Sequence, residues 1–183
     1  MARTSRSTDT PARLSKAERA WLLKSATYAS VLVACSLVFG KVWAWQATDS
    51  VSILSSLADS VLDVLASLLT FWAIRYSLEP PDREHRFGHG KSEGLAALLQ
   101  ALIICGSGVF VCYEAIQRLM APAPIAKPGA GIAVLAASTL ATVALVFYQH
   151  YVKRKTGSLA ISADAMHYKT DVLVNVVVAG AVF

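Results

Sequence analysis

Apolar residues fill five long stretches of the chain, 21–45, 51–74, 95–119, 129–152 and 159–183, and polar residues gather between them. A hydrocarbon core about 30 Å thick takes about 20 residues of helix at 1.5 Å each, so every stretch is long enough to cross it. Breakers stand where turns are needed, at Pro80-Pro81, Gly88 and Gly90, Pro122, Pro124, Pro128-Gly129 and Gly157-Ser158. Runs this long and uniform are unlike barrel strands, and backbone groups in lipid must bond within their own segment. The pattern therefore predicts an all-α membrane protein, a bundle of transmembrane helices with five in this chain, over residues 21–183.

Composition agrees, since 55% of the 183 residues are hydrophobic, more than one soluble core of this size could hide from water. A net charge of +5 would suit nucleic acid, but the basic residues flank apolar runs and form no patch, so no nucleic-acid partner is expected. They mark topology instead. Thirteen Lys and Arg fall in the N-terminal segment and the second and fourth connections, against three (Lys41, Arg118, Lys127) near the other two, which predicts a cytoplasmic N-terminus. Residues 1–20 are rich in Arg, Ser and Thr and read as a disordered basic tail, not as a cleavable signal. Cys35, Cys105 and Cys112 lie inside apolar runs without CxxC spacing and read as small packing residues, and Gly106 and Gly108 as sites of close helix approach.

Ionisable side chains in mid-membrane are costly and are functional candidates by default. Asp59 and Asp63 are four apart on the second stretch, and His167 and Asp171 are four apart on the fifth, so each pair shares one helix face. The two helices run antiparallel, and at 1.5 Å per residue Asp63 and Asp171 each lie about 18 Å into their spans, near the midplane. Neighbouring carboxylates in a poor dielectric repel one another, and a divalent cation removes that conflict. Three carboxylates and an imidazole supply four donors suited to zinc, and cadmium, ferrous iron, cobalt or manganese can share such a set. The imidazole, with an ordinary pKa near about 6.5, can also exchange a metal for a proton. As mere helix glue, three acids with one histidine and no arginine nearby would serve poorly.

The second connection carries a further cluster, Asp82, His85 and His89. It reads either as a metal cradle with an open position or as a solvated polar loop. Asp164, one turn before His167, reads as a relay toward the site or, slightly preferred, as an acid favoured by the helix dipole. Lys169 points away from His167, His150 ends the fourth stretch, and Glu114 and Gln117 read as interfacial.

Three separated segments carry a resemblance. They are Ser50-Val51-Ser52-Ile53-Leu54 leading into Asp59-Ser60-Val61-Leu62-Asp63, then Arg75-Tyr76-Ser77-Leu78 through Phe87-Gly88-His89-Gly90-Lys91, and Ala163-Asp164-Ala165-Met166-His167-Tyr168-Lys169-Thr170-Asp171. In that order they resemble the cation diffusion facilitator family, in its bacterial zinc and iron efflux branch, over nearly all of the chain after the tail. The resemblance implies a six-helix membrane domain followed by a cytoplasmic metal-binding domain. The protein would be a homodimer in the bacterial inner membrane that exports a divalent cation, Zn2+ first and Fe2+, Cd2+ or Mn2+ besides, in exchange for protons. It assigns Asp59, Asp63, His167 and Asp171 to the transport site, Asp82, His85 and His89 to a loop site, and Lys91 to a salt-bridge interlock at the dimer centre. The chain stops at Val182-Phe183 within an apolar run, so a longer protein with a sixth helix and the soluble domain is expected. Two other functions are weighed against transport: a non-transporting metal-binding membrane partner, and a membrane metalloenzyme, which the lack of HExxH or a Ser/Lys arrangement disfavours.

Overall fold

Ser15 and Glu18 cap the start of the first helix reciprocally. Ser15 N–H donates to Glu18 Oε2 at 2.8 Å, and Glu18 N–H donates to Ser15 Oγ at 3.1 Å. A capping box of this kind satisfies two orphan donors and fixes where a helix begins. Helix α1 accordingly spans Lys16–Thr48, starting before the apolar run. The structure, a computed structural model, describes residues 14–48, 51–120 and 128–182. The other helices are α2 (Val51–Ser77), α3 (Lys91–Met120), α4 (Pro128–Thr156) and α5 (Leu159–Val182). The predicted tail thus gives residues 16–20 to α1, while residues 1–13 lie outside the described part, as do Lys127 and the side chains of Glu114 and Arg118.

α1 to α4 overrun their apolar stretches because polar turns at the ends continue the backbone ladder into water. Lys153, Arg154 and Lys155 occupy the last turn of α4, where cations suit the helix dipole. Gly157 ends that helix at φ +67°, its N–H closing on the Lys153 carbonyl at 2.9 Å. Ser158 then caps α5, its Oγ accepting from Ile161 N–H at 3.3 Å.

α5 is the central helix and packs on the other four, while α1 packs on α2 and α4, and α2 on α3. The described residues form no strand, as expected of an all-α bundle. Lys16–Ala47, Ser56–Ser77 and Lys91–Tyr113 are each long and apolar enough to cross a membrane. α4 and α5, with 29 and 24 residues, also reach the roughly 30 Å required. Large apolar side chains such as Leu32, Phe39, Trp43, Trp72 and Phe147 face outward, which is stable only where lipid covers them. The protein is a multi-pass helical membrane protein.

The bundle has two unlike ends. At the basic end, where α1 begins and the α2–α3 and α4–α5 connections lie, Leu22, Leu23, Ala26, Ile74, Val152 and Ile161 form a closed core. Glu93 staples that end: it accepts from Ser158 Oγ at 2.5 Å and Ser77 Oγ at 3.5 Å, and pairs with Arg19 at 3.7 Å. Toward the opposite end lies a cavity lined by residues of all five helices. Cys105 and Cys112 are exposed, Cys112 on that cavity, and so are not packed as expected. A side chain at Gly106 or Gly108 would meet nothing within 4 Å, so neither marks a close helix approach.

Candidate metal centre

Tyr168 fixes the rotation of α5. Its ring is almost wholly buried, and its hydroxyl hydrogen-bonds Ser67 Oγ of α2 at 2.6 Å. The preceding residue, His167, is thereby turned toward α2, with Nε2 3.1 Å from Asp63 Oδ1 and 3.9 Å from Asp171 Oδ2. Asp63, His167 and Asp171 offer donor atoms that all lie within 4.8 Å of one another. Asp171 Oδ2 is buried and lacks a hydrogen-bond partner among the described residues, since 3.9 Å is too long for one. An unpaired buried carboxylate oxygen beside an imidazole is poor glue and a good ligand.

Asp59 lies one turn from Asp63, outside that tight trio, but lines the same cavity. The cavity has a volume of about 330 Å³, and every helix contributes to it, through residues such as Leu37 of α1, Asp63 of α2, Ser107 of α3, Thr142 of α4 and Asp171 of α5. Three of the four predicted transport-site residues thus converge, and the fourth stands at the same opening.

Lys41 also lines this cavity, although the sequence suggested only a topological marker. Asp164 is a second surprise. It is 0% exposed and is bound by Ser30 Oγ of α1 at 2.8 Å, Gln100 Nε2 of α3 at 3.0 Å and Gln149 Nε2 of α4 at 2.6 Å. Gln100 Nε2 also reaches Thr70 Oγ1 of α2 at 2.9 Å, so one buried knot ties all five helices. The signal was present as two glutamines inside apolar runs, but sequence spacing alone does not pair residues 64 and 15 positions apart.

The α2–α3 connection folds round Asp82. Its Oδ1 accepts from Glu84 N–H at 3.0 Å and His85 N–H at 2.5 Å, and Gly88 at φ +77° turns the chain back, its N–H on the His85 carbonyl. The His85 N–H, with help from the His85 ring and Glu84 N–H, holds the Asp82 carboxyl below the usual carboxylate range. His85 Nδ1 lies 3.2 Å from Asp82 Oδ1 and His89 Nε2 lies 3.5 Å from Asp82 Oδ2, so all three predicted loop residues converge. His89 Nδ1 is buried without a partner among the described residues, against the Tyr76 ring at 4.3 Å between centroids. Lys91, the first residue of α3, is exposed two positions on.

Residues 27–183 match the cation efflux transmembrane domain. The chain belongs to the cation efflux family. Relatives within it include the cation-efflux pumps FieF of Salmonella choleraesuis (strain SC-B67), Salmonella arizonae and Salmonella newport, each 46% identical over 154 residues. Those alignments cover 84% of this chain and 51% of each relative, so the chain spans about half the length of the curated relatives it matches. Membership in the cation efflux family agrees with the resemblance drawn from the three sequence segments. It also places both donor clusters within the matched residues.

Proposed function

We propose that the protein exports a divalent metal cation from the cytoplasm in exchange for protons, with zinc as the cation its donors suit best. The observation that carries this is the convergence of Asp63, His167 and Asp171 across α2 and α5, with one buried carboxylate oxygen unpaired. Asp59 at the same cavity supplies a fourth donor. Imidazole and carboxylate fit zinc and cadmium, and leave ferrous iron and manganese as further cargo. Metal and protons compete for the same atoms, so affinity falls as pH drops below about 6.5, the ordinary imidazole value. A more acidic outer side then favours release there, and the cytoplasm favours loading.

Asp82, His85 and His89 form a second cation site at the basic end, off the path through the membrane. The asymmetry of Lys and Arg supports a cytoplasmic position for that end, and the similarity to bacterial pumps supports a bacterial inner membrane. A homodimer, with Lys91 in its central salt bridge, completes the assembly.

The test is zinc flux into proteoliposomes carrying a metal-sensitive dye, at several imposed pH gradients. Flux should follow the gradient and stop in Asp63→Ala, while His85→Ala/His89→Ala should lose one bound metal and keep flux. Flux indifferent to the gradient rules out exchange. Metal binding without any flux leaves a binding protein.

A further inference from the structure

A lysine within an apolar span commonly extends along its helix to reach water. Lys41 does something else. It is half-buried, and its Nζ crosses from α1 to α2, donating to the Ser56 carbonyl at 3.0 Å and to Ser60 Oγ at 2.6 Å. Ser60 lies on the turn between Asp59 and Asp63, so the ammonium is held at the acidic stretch of α2. It lines the same cavity as Asp59, Asp63 and Asp171. Among the described residues lining the cavity, Lys41 alone carries an aliphatic ammonium.

The charges can then be counted. Among the described residues, Asp59, Asp63 and Asp171, ionised as metal ligands are, bring three negative charges to one cavity, and Lys41 brings one positive charge. The remainder is two negative charges, with His167 neutral as a metal ligand must be. One divalent cation cancels that remainder. A monovalent cation leaves the cavity negative, and a trivalent one leaves it positive, in a setting where uncancelled charge is costly.

We propose that Lys41 is a specificity-determining positioning residue of the transport site: tethered to Ser56 and Ser60, its ammonium sets the charge of the cavity to match a single divalent cation. The role rests on the transport-site assignment above and deepens it. A fixed positive charge beside the metal also opposes it, so Lys41 keeps binding weak enough for release.

The experiment measures zinc binding by calorimetry in the His85→Ala/His89→Ala background, which silences the loop cluster, and terbium binding by luminescence in competition with zinc. Lys41→Met and Lys41→Gln remove the charge, and Lys41→Arg keeps it. Size-exclusion chromatography confirms assembly, and having two neutral variants guards against one that fails to fold. Zinc should bind at least about tenfold tighter to the neutral variants and within about threefold of the parent in Lys41→Arg. The affinity for terbium relative to zinc should also rise in the neutral variants, because the cavity then carries three uncancelled negative charges. A role in packing alone would not change that ratio. If assembled Met and Gln variants match the parent in both measurements, or bind zinc more weakly, the inference is overturned while the transport site stands. If the parent binds no zinc that Asp63→Ala removes, both fall together.

Discussion

Asp164 and Asp171 stand seven residues apart on α5, one turn to either side of His167, yet they meet opposite environments. Asp164 is wholly buried, and both of its oxygens accept hydrogen bonds from three other helices. Asp171 is partly open to the cavity, but its one buried oxygen is unpaired. Depth of burial therefore does not distinguish a ligand from a structural group here. Satisfaction does. The unpaired atoms in the Asp164 knot are the Gln100 and Gln149 amide oxygens, which are neutral, and the carboxylate itself is fully served. A satisfied carboxylate has little reason to take up a metal, whereas an unsatisfied one beside an imidazole has every reason.

The strongest test of this contrast is to exchange the fates of the two acids. Asp171→Ala should cost the cavity site more than about 100-fold in zinc affinity, since even partners that only hold a ligand in place are worth about 10–100-fold. Calorimetry reads this directly, and an unchanged isotherm would show that Asp171 is no ligand. Asp164→Ala should do the converse. It removes three interhelical bonds and should lower stability by about 2–3 kcal/mol, seen as an earlier thermal transition in detergent, with zinc affinity kept within about tenfold. Ser30→Ala, which removes one arm of the knot, should cost about 1 kcal/mol, and the two losses should not add, because the residues share one network. Loss of metal binding at unchanged stability in Asp164→Ala would break the contrast.

Sequence made the five helices legible because lipid demands long apolar runs, and it picked out the α2 and α5 donors because i, i+4 spacing fixes a helix face, whereas the loop donors stood out only as histidines and an acid close together in one connection. Helix ends were less legible: the Ser15–Glu18 cap and the Gly157 turn depend on hydrogen bonds among polar residues, which hydropathy does not see. Lys41 was missed for a related reason. Counted by loops, it is a flanking charge, and only the crossing from α1 to Ser60 shows that it serves the cavity. The Asp164 knot needed the packing of all five helices before its members could be paired.

A third aspartate gives the smallest effect and sharpens the rule in water. Asp82 is satisfied by backbone N–H groups, as Asp164 is by side chains, but in an exposed loop. Its carboxyl is held below the usual range, so the folded loop gains stability above the ordinary Asp pKa of about 3.9 and loses it as pH falls through the lower folded value. In a His85→Ala/His89→Ala background, which removes the imidazole titrations, the Asp82 side-chain carboxyl carbon resonance should therefore titrate below the ordinary value of about 3.9. A midpoint at or above that value would mean that Asp82 does not bind those amides in solution.

The level at which Asp164 joins the helices also has a mechanical meaning. Five rods pinned at one height move least near the pin and most at their far tips. Lys41 lies eleven residues beyond Ser30 on α1, about 16 Å at 1.5 Å per residue, whereas His167 lies three residues beyond Asp164, about 4.5 Å. A rigid tilt of about 10° about the pin would carry the Lys41 level sideways by about 3 Å and the His167 level by less than about 1 Å. The same tilt would move Asp63 and Asp171, each seven residues from the pin at Thr70 and Asp164, by about 2 Å, and Asp59 by as much as Lys41, so His167 is the still point round which the other donors open.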